Sequence, residues 1–508
     1  MGATVKRGVG YAGVGYAAAQ ALNLGFQVVL ARLLTPADIG DFAAATALYV
    51  FATFVNEGGM MAAIIQRRDR IEEAASTAAV STFFGGILLS LAALAISPLI
   101  GSFFKDSQVT TIAAASSGLI FLRTVAVVPE ALLQRRFSFL RRLIIDPAQV
   151  VVFGVVAVTC AASGLGVWSL VIGYYSGAVA DVVLSWALIR WRPKLHLVSF
   201  SMWRELVAYG RHLLLATTVQ KAGDQADAII VGRLLGPAPL GQFRYAFRLA
   251  SAPFGALLSA ASYVLFPAFA RIADDAERFR DGYLRSLRWM CVIAFPAGMI
   301  FLPLGEPIAV TLFGERWRSA GYALMGLCFF TGGAAVNSIV SEGLKGIGRP
   351  QALTGISAVT TISAIVAMVA LQPLGLPAVA AGFSLGTMVG AGYAIRVAGR
   401  VLHVDPLAQL KETWAPIVAS VFMAGAVLPL ELLVVNADSH PTAIALLLLA
   451  AEGLLAAVLY LAALSLLAPS LRHPLVSGGR SALAAAVRFL KRERSAGEEM
   501  STTRPAEE

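Results

Sequence analysis

Four basic side chains, Arg123, Lys221, Arg244 and Arg248, stand inside long apolar stretches of this 508-residue chain. A charge in such a stretch is costly and belongs in a bundle interior or a wet cavity. Guanidinium groups there suit an anionic ligand, and Arg matches phosphate with two parallel hydrogen bonds. Arg244 and Arg248 are spaced i,i+4, and Ser251 continues the same polar stripe. A second stripe, Gln20, Asn23 and Gln27, follows the i, i+3, i+7 spacing of one helical face. Asp224 and Asp227 lie beside Lys221, and Glu57 precedes Gly58-Gly59, where a helix can loosen locally. The predicted cationic set is therefore Arg123, Lys221, Arg244 and Arg248. Gln20, Asn23, Gln27, Asp224 and Ser251 form its polar lining. Glu57, Asp224 and Asp227 are the candidates for coupling to a proton or sodium ion. Each has a plainer reading beside it. Arg123 can pair with an acid on another helix, with Glu130 two turns along its own. Lys221 and Asp224 can form a local ion pair, and the amide stripe can be a seam between helices.

Catalytic chemistry has no foothold in the residue pattern. There is no Gly-rich phosphate loop, zinc motif or nucleophile motif, and the five His form no ligand cluster. Cys160, Cys291 and Cys328 fall inside apolar stretches and suit small core residues. The expectation is a protein that is not an enzyme and needs no cofactor or metal.

The elements that must carry these residues are membrane-spanning helices. The chain is 58% hydrophobic and 14% charged, against roughly 25% charged for a soluble domain. Its apolar windows are long enough to cross a ~30 Å hydrocarbon core as helix, and they do not alternate as barrel strands do. The predicted class is all-α integral membrane, with about fourteen spans. These run over 8–31, 39–65, 74–102, 109–133, 143–163, 166–189, 207–232, 240–270, 285–312, 319–344, 351–371, 376–399, 413–435 and 441–468. Of the 40 basic residues, 31 fall on one side of that topology and five on the other. The positive-inside rule then places both termini in the cytoplasm. Topology already accounts for the net charge of +10, so nucleic acid is not an expected partner.

Residues 30–42, LARLLTPADIGDF, and 231–243, VGRLLGPAPLGQF, match at seven of thirteen positions with an offset of 201. Each turns one span into the next. The chain thus divides into two pseudo-symmetric six-helix lobes, 1–190 and 207–402, related by an axis along the membrane normal. An interfacial linker, 191–206, joins them on the cytoplasmic side. Two additional spans follow within 403–471. A basic tail, 472–508, suits an anionic leaflet, so membrane lipids are expected partners.

Those corner sequences, with Glu57-Gly58, AAIIQRRDR (62–70), PEALLQRRFSF (129–139), GLGVWSLVIG (164–173) and WRPKL (191–195), resemble the polysaccharide exporters. That family is the Wzx/WzxC-like branch of the multidrug/oligosaccharidyl-lipid/polysaccharide (MOP) exporter superfamily. The similarity runs over most of residues 8–400. It implies a two-lobed inner-membrane flippase with a cationic central cavity. Its substrate would be a polyprenyl-pyrophosphate-linked oligosaccharide for O-antigen, capsule or exopolysaccharide. A polysaccharide polymerase or co-polymerase becomes a candidate partner. The rivals are a flippase for the peptidoglycan lipid precursor and a MATE-like multidrug or cation antiporter. A membrane-bound polymerase or ligase fits poorly, because every outer loop is short.

Overall fold

The structure, a computed structural model, describes residues 20–67, 69–135 and 144–469, without side chains at 48–59, 62, 66, 209–224, 227, 253–254 and 256–264. All regular structure among the described residues is helical. In chain order the helices are α1 (20–33), α2 (Pro36–Gln66), α3 (Ile71–Phe104), α4 (Ser107–Ser116), α5 (Gly118–Arg135), α6 (Asp146–Ala162) and α7 (Trp168–Ile189). Then come α8 (Phe200–Leu235), α9 (Pro237–Arg271), α10 (Ala276–Met299), α11 (Phe301–Phe313), α12 (Arg318–Gly326) and α13 (Phe330–Gly346). The last four are α14 (Ala352–Leu371), α15 (Leu376–Val401), α16 (Pro406–Leu430) and α17 (Thr442–Leu467).

Among the described residues seven helical segments are long and apolar enough to cross a membrane, and two bent helix pairs raise that to nine. The five other expected spans fall on α1, α2, α6, α8 and α9. Two spans read from sequence as continuous are broken. The α10–α11 pair bends by 55° and the α12–α13 pair by 47°. Pro303, early in α11, has no amide hydrogen to bond back into α10, which accounts for the first break. The expected linker, 191–206, is partly helical. Its second part is already helix, because Ser199 accepts from the Met202 amide and starts α8 at Phe200. Trp203 of that stretch donates to Ser81 Oγ at 3.0 Å, which docks it on α3.

The repeated corner explains how the two halves meet. In the first copy Thr35 caps α2, exchanging hydrogen bonds with Asp38, and Pro36 takes the first helical turn. In the second copy Gly236, at φ 94°, makes the turn that a side chain would resist, and Pro237 follows it. The helices so started cross at their repeat-equivalent glycines. A Cβ on Gly40 would fall 1.7 Å from the Pro237 carbonyl oxygen, and one on Gly241 would fall 1.9 Å from that of Pro36. Only hydrogen at both positions permits this approach. The paired arginines of the two corners also reach across. Arg32 donates to the carbonyls of Thr311, at 2.7 Å, and Leu312, at 2.9 Å. Arg233 lies over the Phe103 ring, 5.5 Å from its centre. Trp317, fully buried, donates to the Ala31 carbonyl at 2.7 Å.

Around this junction one buried cluster draws on both halves, from Leu30 and Phe104 to Phe243, Trp317 and Val379. At the opposite ends of the same helices the described core is in two parts. One holds Ile64, Val128 and Met202, and the other Tyr283, Ile339 and Ala398. Among the described residues the halves share a core at the corner end, and at the other end the first-half core takes in the start of α8. The two helices beyond the repeat, α16 and α17, pack on α10 and α11 through Ala419, Met423, Ala456 and Tyr460.

Arg123 belongs to the framework of the first half. It donates to Asp181 of α7 at 2.8 Å and stands 3.8 Å from Glu130, and both acids are buried. Ser185 donates to the other Asp181 oxygen at 3.2 Å. Removing the guanidinium would take the positive charge away from two buried carboxylates.

Two outcomes follow from this packing. Gly241→Leu should lower the thermal stability of the detergent-purified protein by about 3 kcal/mol, while Gly25→Leu, where a side chain meets nothing, leaves it unchanged. Arg123→Ala should cost about 3–5 kcal/mol. The check is a melting curve read by size-exclusion chromatography, and an Arg123→Ala protein as stable as the wild type would contradict the framework role.

Candidate functional site

A cavity of about 600 Å³ lies next to the junction, between α1, α2, α6 and α7 on one side and α8 and α9 on the other. The crossing that brings Gly241 against α2 sets its geometry. Arg244 follows Gly241 by about one helical turn and Arg248 by two, so both project from α9 into the space beside the crossing. Ser251 continues their line. From α1, Asn23 and Gln27 face them, joined by a hydrogen bond from Gln27 Nε2 to Asn23 Oδ1. Gln27 is buried, and its carbonyl accepts from the Tyr245 hydroxyl at 3.3 Å.

Five of the residues singled out from spacing thus share one cavity: Asn23, Gln27, Arg244, Arg248 and Ser251. The others do not all join them. Gln20 is exposed and is not among the lining residues. Arg123 lies elsewhere, held by Asp181 between α5 and α7. The side chains of Glu57, Lys221, Asp224 and Asp227 lie outside the described residues.

Several lining residues escaped the sequence reading. Gln225 of α8 accepts from Arg244 Nη2 at 2.7 Å, one position beyond the Asp224 that charge alone had marked. Gln149 of α6 and Thr46 of α2 add further polar groups. Tyr174 stacks on Phe42, with ring centres 4.9 Å apart, and also meets Phe153 at 4.7 Å. Neutral Gln, Thr and aromatic residues carry no conspicuous signal in a hydropathy profile. Only their convergence in space marks them.

The electrostatics are one-sided. No acidic side chain is among those described as lining the cavity. Gln225 satisfies one Arg244 nitrogen, while its buried Nε has no acceptor among the described residues. Arg248 is exposed to the cavity space. Two guanidinium groups on one stripe, with uncharged amides opposite, leave positive charge for an anion to neutralise. The amides and stacked rings offer hydrogen bonds and flat apolar faces. No group of three or more His, Cys, Asp or Glu that could hold a metal occurs among the described residues.

Comparison with known proteins places this geometry. The chain is similar to the succinoglycan biosynthesis transport protein ExoT of Rhizobium meliloti (strain 1021), at 26% identity over 69% of this chain and 71% of that one. It is similar to the teichuronic acid biosynthesis protein TuaB of Bacillus subtilis (strain 168), at 24% identity over 53% of this chain and 56% of that one. The lipopolysaccharide biosynthesis protein WzxC of Escherichia coli (strain K12) is 26% identical over 60% of this chain and 63% of that one. For the last two, the match spans less than two thirds of the relative's own length. Among solved structures, the lipid II flippase MurJ in an inward closed conformation has a TM-score of 0.70 at 14% identity, covering 90% of this chain and 98% of that one. An inward-facing MATE family transporter of the MOP superfamily gives 0.61 at 17% identity, over 76% and 94%. At these identities the likeness is one of fold. The model of the family described as polysaccharide biosynthesis protein matches residues 29–321, more than half of the sequence, and the chain belongs to that family.

Proposed function

We propose that this protein is a flippase that moves a polyprenyl-pyrophosphate-linked oligosaccharide from the cytoplasmic to the periplasmic leaflet of the bacterial inner membrane. The delivered unit serves assembly of an exopolysaccharide, capsule or O-antigen. The observation that carries this reading is the cavity itself, with Arg244 and Arg248 on one wall and no described acid lining it. Three relatives named for three different polymers agree with a site that recognises what lipid-linked glycans share. A drug or cation antiporter needs acids where this cavity holds bases.

The chemistry follows from the lining. The pyrophosphate enters between the halves, and Arg244 and Arg248 replace its lost hydration with charge-assisted hydrogen bonds. Lys221, on the span next to α9, is the further base of the predicted set. Asn23, Gln27, Gln149 and Gln225 face sugar hydroxyls, and Tyr174 and Phe153 present flat rings to sugar faces. The prenyl tail stays in the bilayer. Rocking of the halves about the glycine crossing then exposes the head to the other side, with no bond made or broken in the substrate. Both termini lie in the cytoplasm, where the Arg-rich loops are. An interior-negative potential favours outward movement of the anion by about 2.3 kcal/mol per charge per 100 mV. Glu57, Asp224 and Asp227 are the coupling candidates within the two halves, and a polysaccharide polymerase would consume the delivered unit.

The test is complementation of a strain that lacks its own polysaccharide flippase. Wild type should restore surface glycan. Arg244→Ala and Arg248→Ala should insert normally yet deliver roughly ten- to hundredfold less, since a hydrogen bond to a charged group contributes about 1.5–3 kcal/mol. Full delivery by both variants would remove the arginines from the mechanism. Resistance to organic cations without glycan, conferred by the wild type, would replace the flippase reading with the antiporter.

A further inference from the structure

The two helices beyond the repeat hold a feature that the transport reading leaves unused. Glu431 follows α16 directly and opens a single π-helical turn, Glu431–Val435. Glu452 lies near the middle of α17. Each is 3% exposed, and the two carboxyl groups lie within hydrogen-bonding reach of one another. Glu431 Oε1 accepts from the Ala437 amide at 2.9 Å. Its Oε2 and both oxygens of Glu452 have no donor among the described residues.

The charged groups around the pair are already engaged. On the corner side, Arg318 binds Glu306 of α11, Glu315 and, at 2.8 Å, Asp438 of the α16–α17 loop. That hub holds three acids to one base, so its field adds to the negative charge near Glu431. At the far end of α16, Glu412 is taken by Arg288 of α10. No described basic side chain pairs with Glu431 or Glu452.

Two ionised carboxylates in this position would be buried, without a described donor on three of their oxygens, and mutually repelling, which is unfavourable. One proton removes most of the repulsion. A protonated Glu452 becomes a donor to Glu431 Oε2, and the remaining single charge is held by the Ala437 amide. Of the three orphan oxygens, two then form one partnered pair and the third is an uncharged carbonyl oxygen.

We propose that Glu431 and Glu452 form a proton-binding site between α16 and α17, in which the two carboxyl groups share a single proton. The proton exchanges with water by way of the loop at 436–441, where Asp438 is part-exposed. Its release leaves a second negative charge between the two helices and weakens their packing. The site is distinct from the cavity and does not depend on what the cavity carries.

Difference infrared spectroscopy of the full chain in lipid nanodiscs, between about pH 6 and about pH 9, tests this. Wild type should show a carboxylic-acid C=O band that disappears on alkalinisation. Glu452→Gln and Glu431→Gln should each abolish it. The thermal midpoint should fall with rising pH in wild type and stay flat in Glu452→Gln. If one variant fails to fold, the other and the wild-type titration still decide. A missing band, a band unchanged in both variants, or a midpoint that follows sodium or potassium at fixed pH would each overturn the proposal.

Discussion

Everything about the site depends on how closely two helix N-termini can cross. Gly40 and Gly241 bring the backbones of α2 and α9 to a separation at which neither tolerates a Cβ. The contact is reciprocal, each glycine against the proline that starts the other helix. That is what a two-fold relation between repeats demands of a contact on its own axis. From the crossing onward, helix periodicity sets the rest. Arg244 and Arg248 follow Gly241 at fixed angles and rises, so the junction aims them.

The molecule uses intramembrane charge in two ways, and the partners separate them. Arg123 is held by Asp181 and stands beside Glu130, an arrangement in which removing the guanidinium takes the positive charge from two buried acids. Arg288 with Glu412 and Arg318 with its three acids are likewise paired, in less buried surroundings. Arg244 and Arg248 are different, because their cavity neighbours are amides, a serine and aromatic rings. An arginine with a carboxylate has its charge met within the fold, while Arg244 and Arg248 stand among neutral hydrogen-bonding groups in the described lining.

Much of this was legible in the sequence, for a specific reason. The corner repeat at an offset of 201 is a local pattern, and so are the spacings of Asn23 with Gln27 and of Arg244 with Arg248. Each residue's face follows from helix geometry alone. What sequence could not supply is the partner across space. Asp181 lies 58 positions from Arg123, so Arg123 stood among the cavity candidates when its charge was already taken. Gln149, Tyr174 and Gln225 are ordinary in a hydropathy profile and acquire meaning only where α6, α7 and α8 converge. Glu431 and Glu452 are inconspicuous for a related reason, since they lie in helices that the repeat does not cover. The bend between α10 and α11 was smoothed over because apolar windows measure length, not direction.

The central claim is that the paired arginines of α9 hold the pyrophosphate of a lipid carrier. The most direct test is equilibrium binding of a polyprenyl pyrophosphate without sugar, beside the uncharged polyprenol of the same length, to the purified protein in nanodiscs. The account predicts that wild type binds the pyrophosphate far more tightly than the alcohol and that Arg244→Ala/Arg248→Ala removes that preference while the protein stays folded. Equal binding of the two lipids by wild type, or an undiminished preference in the double variant, would contradict it.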